Sequence, residues 1–197
     1  MMNVRLPYRV PKDLKAEILE YCKRDNLPFV EHGKKTHGHV INKFIKLDDV
    51  ADPVSENVKK FSNEIFETMG MVNTLDETYN GCAVFVMNAG GWNPLHVDPR
   101  HEESLFAHIR VNFLLSKPEE GGNTIINEIE YQLQEDESWF MYSSIWVHGV
   151  TEVIGNKPRI ILSIGKYVDP KEVSTFLKNV LYNKQIYTKQ IREICRP

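Results

Sequence analysis

The pair His96-Val97-Asp98, with a second histidine, His148, far along the chain, sets the strongest constraint on the fold. Residues two apart on an extended strand face the same side. His96 and Asp98 therefore point into one space if their segment is a strand, and Pro94 and Pro99 on either side favour extended backbone there. His148 has to reach that space on another strand. Three polar groups of this kind are costly to gather in an interior unless they share a ligand. A double-stranded β-helix, a jelly-roll barrel whose strands wind back over one another, is the scaffold that brings such residues together.

The rest of the pattern agrees with an α+β chain built on that core. Pro11 to Asp25 reads as a helix with Leu14, Ile18, Leu19 and Cys22 on one face, and Pro11 suits a first turn. Ser55 to Met69 reads as a second helix, with Ser55 as its cap and Val58, Phe61, Ile65, Phe66 and Met69 as its stripe. Between them, Glu31 to Lys46 has no clean period. From Gly81 the texture turns to short strands separated by turns such as Asn88 to Pro94 and Glu120 to Asn123. In His108 to Leu115, Ile109, Val111, Phe113 and Leu115 alternate with Arg110 and Asn112. In Arg159 to Ile164, Ile160, Leu162 and Ile164 face away from Arg159, Ile161 and Ser163. Val173 to Ile194 reads as a closing helix. The expectation is a single domain over 1–197: a helical N-terminal part to about 78, a β-helix core over about 79–168, and a C-terminal helix over about 170–195.

The 197 residues suffice for a sizeable core. With 42% hydrophobic and 26% charged residues the chain reads as an ordinary globular protein, and a net charge of −3 makes nucleic acid an unlikely partner. Cys22, Cys82 and Cys195 are odd in number and unpaired in spacing, which fits neither a zinc ribbon nor a disulfide framework. Without a signal-like N-terminus or a long apolar run, a cytoplasmic protein free of membrane spans is expected.

Two imidazoles and a carboxylate on one face of a metal leave three coordination positions open, the arrangement used by mononuclear non-heme Fe(II) oxygenases. No cysteine stands in ligand spacing, which also favours iron over a structural zinc. Arg159 adds a cation able to hold the far carboxylate of a 2-oxo acid. His101 and His108 are the rival ligands and read better as surface or pocket residues. His32, His37 and His39, with Lys34 and Lys35, lack ligand spacing and read as an exposed loop. Trp92 reads equally as a pocket wall or as core, and 99–106 as a loop at a substrate entrance or a solvated one.

Taken together, His96-Val97-Asp98, Glu120-Gly121-Gly122-Asn123-Thr124, His148-Gly149-Val150, Val153, Gly155 and Arg159 make the chain resemble the Fe(II)- and 2-oxoglutarate-dependent dioxygenases, in the prolyl-hydroxylase-like branch, over roughly residues 80 to 168. The resemblance implies a ferrous ion held by His96, Asp98 and His148. It also implies 2-oxoglutarate and O2 as cosubstrates, with the distal carboxylate of 2-oxoglutarate on Arg159 and Ser163 as a hydrogen-bond partner. Enzymes of that branch often carry a tyrosine upstream of the first ligand histidine where this chain has Met87. Asn112, Thr124 and Tyr79 are the candidates to stand in for it, and the sequence does not choose among them. A tryptophan near the distal histidine, as in Trp146-Val147-His148, is also a trait of the JmjC-type branch, but the Arg159 position and the Gly121-Gly122 turn speak against that branch.

The implied activity is hydroxylation of an unactivated C–H bond in a peptidyl or free amino acid or another small substrate. The retained Asp98 argues against halogenation, which needs a small residue there. Two alternatives stay open: a cupin-like metal enzyme that does without 2-oxoglutarate, and a catalytically silent barrel acting as a binding module. The primary substrate and the oligomeric state are not legible in the sequence.

Overall fold

The structure, a computed structural model, describes residues 5–24, 27, 30–36, 39–47, 51–77, 81–99 and 105–182. The elements run β1 (Arg5–Leu6), α1 (Lys12–Tyr21), β2 (Val30–Thr36), β3 (His39–Lys46), α2 (Pro53–Thr68), β4 (Thr74–Asp76), β5 (Cys82–Met87) and β6 (Asn93–His96). They continue with β7 (Ala107–Ser116), β8 (Glu120–Gly121), β9 (Thr124–Ile126), β10 (Ile129–Tyr131), β11 (Ser138–Met141), β12 (His148–Val150), β13 (Val153–Ile154), β14 (Arg159–Val168) and α3 (Pro170–Tyr182). A large antiparallel sheet has the order β1-β11-β7-β14-β5-β3-β2, with β4 also paired to β14. It is opposed by a smaller sheet, β10-β9-β12-β6. This is the double-stranded β-helix expected from the sequence.

Alternation along the central strands builds two interiors from one sheet. On β7, Ile109, Val111, Phe113 and Leu115, and on β14, Leu162 and Ile164, turn to a core shared with Leu14 and Ile18 of α1, Val58, Phe61 and Ile65 of α2, and Val173 and Phe176 of α3. Each fully buried side chain of this size stabilises the fold by roughly 1.5–3 kcal/mol. The other faces, carrying Arg110 and Asn112 on β7 and Arg159, Ile161 and Ser163 on β14, turn to a cavity between the sheets. In the ladder Ser163 stands opposite Asn112 and Gly165 opposite Arg110. Among the described residues no helix is long and apolar enough to cross a membrane.

Three local expectations are corrected. The cap of α2 is Asp52, whose carboxylate accepts from the Val54 N–H at 3.0 Å, with Pro53 filling the first turn. Ser55 lies inside that helix, fully buried, and its hydroxyl donates to the Leu47 carbonyl. The first helix ends at Tyr21, short of Asp25. The stretch 30–46, which lacks a period in sequence, forms β2 and β3, so the part ahead of the barrel carries strands as well as helices. The side chains of His32 and His39, the whole of His37 and Tyr79, residues 100–104 of the expected entrance loop, and the expected helix past Tyr182 lie outside the described residues.

Candidate metal centre

β6 and β12 pair in the small sheet with His96 opposite His148. Asp98 follows β6, and its backbone N–H donates to the Ser143 carbonyl at 2.8 Å. The three side chains meet at the inner face. Nε2 of His96 and Nε2 of His148 each lie 3.6 Å from Asp98 Oδ1, and all three ligand atoms fall within 4.8 Å of one another. The imidazole centroids are 4.3 Å apart. Among the described residues this is the cluster of histidines and carboxylates that converges as a metal site would.

The rings are held in one tautomer. His96 Nδ1 lies 2.8 Å from the Pro94 carbonyl and His148 Nδ1 2.9 Å from the Trp146 carbonyl. A carbonyl only accepts, so both Nδ1 atoms carry the proton and both Nε2 lone pairs face Asp98 Oδ1. Two nitrogen lone pairs and an anionic oxygen converging on one point repel one another until a cation or protons arrive. The titration behaviour reflects this. Burial by itself would raise the Asp98 carboxyl, but the His148 and His96 imidazoles facing it, which pair with it once they gain a proton, and the charge of Arg110 outweigh burial and hold the group well below the usual carboxylate range. Asp98 in turn is the main reason His96 is raised above its ordinary value.

A cavity of about 570 Å³ extends from the triad to the first residue of β14. There Arg159 is 4% exposed, donates from Nη2 to Thr124 Oγ1 at 2.9 Å, and lies over the Trp139 ring at 5.9 Å. Its Nε has no partner, and burial pulls the guanidinium down to about 10. The Gly121-Gly122 turn makes room for it: Gly122 has φ +60°, and a Cβ there would lie 3.1 Å from Arg159 Cδ. A buried cation with an unused donor at the closed end of a polar-tipped, apolar-walled cavity suits an anion that enters from the triad side.

The residues singled out in the sequence come together. His96, Asp98, His148, Arg159, Ser163, Asn112 and Thr124 all line this one cavity. Met87 stands opposite Arg159 in the ladder and also lines it, so a thioether fills the place where a tyrosine would bring a hydroxyl. Thr124 is the candidate that meets Arg159 directly. Ser163 is engaged otherwise, as the acceptor for Arg110 Nη1 at 2.8 Å. Trp92 is 54% exposed at the cavity rim, so the wall reading holds and the core reading does not. His108 is buried at 3% exposure and stands apart from the triad, next to Glu77. Sequence reasoning missed Glu77 and the part played by Arg110. The alternation of β7 put Arg110 on the face of Asn112, a usable signal, whereas nothing in sequence ties Glu77 to the site.

No family model matches the sequence, and no curated protein matches it. Solved structures match by fold. A prolyl hydroxylase from Trichoplax adhaerens, in complex with a hypoxia inducible factor oxygen degradation domain peptide fragment, aligns over 87% of this chain and 85% of its own at 16% identity, with TM-score 0.59. A prolyl-4-hydroxylase from Pseudomonas putida aligns over 83% and 90% at 14% identity, TM-score 0.57. HygX from Streptomyces hygroscopicus, with nickel, 2-oxoglutarate and hygromycin B bound, aligns over 83% and 81% at 12% identity, TM-score 0.58. At these identities the likeness is one of fold.

Proposed function

We propose that this chain, as a single catalytic domain, is an Fe(II)- and 2-oxoglutarate-dependent dioxygenase that hydroxylates a peptidyl or free amino acid or another small molecule. The observation that carries the reading is the convergence of two Nε2 lone pairs and Asp98 Oδ1, with both Nδ1 protons spent on backbone carbonyls. Such a donor set fits a divalent ion on one face and leaves its other face open to the cavity. The shared fold supports it, since the matched HygX structure holds nickel and 2-oxoglutarate and the matched hydroxylase from Trichoplax adhaerens holds a peptide.

When bound, the ferrous ion and 2-oxoglutarate supply the oxidising chemistry: O2 is consumed, the 2-oxo acid is decarboxylated to succinate and CO2, and one oxygen atom goes to the substrate C–H. The residues of the chain do the holding. His96, Asp98 and His148 fix the ion. Arg159, oriented by Thr124, offers its unused Nε–H and its charge to the distal carboxylate of 2-oxoglutarate. Asn112 and Ser163 give the polar wall between those two ends, while Phe85, Met87, Trp139 and Ile161 keep bulk water from the reacting face. Trp92, exposed at the rim, is placed to meet the substrate.

The test is succinate formation from 2-oxoglutarate by iron-loaded protein exposed to O2, with and without a panel of amino acids and peptides. Succinate that requires iron and O2, and rises with one panel member, is expected. Tight iron binding with no succinate under any condition would contradict the use of 2-oxoglutarate.

A further inference from the structure

Behind Asp98, on the side away from the histidines, stands a buried set of charges that the metal reading does not use. Asp98 Oδ1 faces both imidazoles, while Oδ2 faces Arg110 Nε at 3.4 Å. Arg110 Nη1 donates to Ser163 Oγ at 2.8 Å, and Nη2 pairs with Glu77 Oε2. Glu77 also accepts from the Gly81 N–H at 2.9 Å, and His108 Nε2 lies 3.7 Å from the same carboxylate oxygen. The Glu77 side chain is 0% exposed and that of Arg110 4%. The pair exists because β14 carries Gly165 opposite Arg110. A Cβ at 165 would lie 2.7 Å from Glu77 Oε2 and 3.1 Å from Arg110 Nη2.

Stability does not account for this arrangement. Taking two charges out of water is costly, and apolar replacements of a buried ion pair are often neutral or stabilising. Nor is Arg110 a spare cation for a ligand, since all three of its nitrogens are engaged. Its engagement has a direction: one nitrogen holds the outer oxygen of Asp98 and the other two anchor the guanidinium to β14 and to Glu77.

We propose that Arg110, braced by Glu77 through the gap left by Gly165, is a positioning residue for the metal centre that makes Asp98 a one-oxygen ligand. With Oδ2 held by Arg110, only Oδ1 is presented to the ion. A two-oxygen carboxylate would take a coordination position that incoming ligands need. Glu77 has a second effect. Without it, Lys43, Arg110 and Arg159 would outnumber Asp98 by two around a pocket that must accept a dication, and with it the excess falls to one before the metal enters. This rests on the metal-site reading of His96, Asp98 and His148.

The test uses the full chain and Co(II) alone, reading the dissociation constant and the visible d–d spectrum, which reports coordination number. The double variant Arg110→Met/Glu77→Met removes the two paired charges together, so neither is left buried without the other, and Glu77→Gln keeps shape and the acceptor that the Gly81 N–H uses. Thermal unfolding of each variant is followed alongside. Outer-shell partners of metal ligands typically matter by about 10–100-fold in affinity, so the double variant is expected to unfold cooperatively, bind Co(II) at least about tenfold more weakly and show an altered spectrum. Glu77→Gln should weaken binding severalfold. Wild-type affinity and spectrum in the double variant would overturn the role of Arg110, and the same result in Glu77→Gln would overturn the bracing by Glu77. Failure of the wild-type chain to bind Co(II), or binding that survives His148→Ala, would instead sink the metal site itself and this proposal with it.

Discussion

Replacing Arg159 by methionine should move cosubstrate affinity and protein stability in different directions. The guanidinium is 4% exposed, has a single hydrogen bond to Thr124 and an unpartnered Nε, and burial already disfavours its charged form. Its positive charge therefore costs the ligand-free protein free energy, and an apolar side chain of similar length removes that cost. Against the methionine stand one lost hydrogen bond from a charged donor, worth about 1.5–3 kcal/mol, and a contact with Trp139. Ligand-free stability should stay within about 1 kcal/mol of wild type or rise. Binding of 2-oxoglutarate loses a charge-assisted hydrogen bond to a carboxylate, about 1.5–3 kcal/mol, and with it the buried cation that faces that carboxylate. A loss near 3 kcal/mol is roughly a hundredfold in dissociation constant. Anaerobic calorimetric titration of Fe(II)-loaded protein with 2-oxoglutarate, beside thermal unfolding of the ligand-free chain, measures both. Unchanged 2-oxoglutarate affinity in a folded variant would refute the assignment of Arg159, and a large fall in ligand-free stability would show that the side chain is chiefly structural.

Other expectations follow from the same geometry. His148→Ala removes one of three convergent donors and should weaken Co(II) or Fe(II) binding by more than about a hundredfold, read by metal titration. Metal binding should weaken as pH falls: His96 is raised by Asp98, so a proton competes for its Nε2 at higher pH than for an isolated histidine, and affinity should drop by about tenfold per pH unit below that titration. Asp98, held low, stays ionised throughout, so a loss that appears only near the ordinary carboxylate range would contradict this. Asp52→Ala should lower the thermal unfolding midpoint through the lost cap on Val54 and the lost pair with Arg24, while Glu56→Ala in the same turn should lower it much less.

The candidate site was legible in the sequence where its logic is strand logic. His96 and Asp98 declared themselves by two-residue spacing, and Arg159 and Ser163 by lying across β14 from Ile160, Leu162 and Ile164, which pack toward the helices. The barrel followed from the same alternation on β7. Elements whose reasons are not periodic were misread. The hairpin β2–β3 sits at a sheet edge, and its first strand, Val-Glu-His-Gly-Lys-Lys-Thr, is almost wholly polar, so no apolar period marks it in the sequence. The α2 cap was misplaced by preferring Ser55 to the Asp52-Pro53 pair just before it, although both are ordinary helix-start residues and only the fold sends the Ser55 hydroxyl back to Leu47. Glu77 stayed hidden because its partner is chosen by topology. It lies ahead of β5, and only the β7–β14 ladder, with no side chain at Gly165, brings Arg110 onto it.

The central claim is that His96, Asp98 and His148 hold a ferrous ion whose open face accepts a 2-oxo acid. The most direct test is the visible charge-transfer absorption that an Fe(II)–2-oxo acid chelate produces, recorded anaerobically as Fe(II) and then 2-oxoglutarate are added to the protein. The band should appear, saturate at one Fe(II) per chain, and be lost in His148→Ala. A band that never appears despite bound iron, or that persists in His148→Ala, would contradict the central claim.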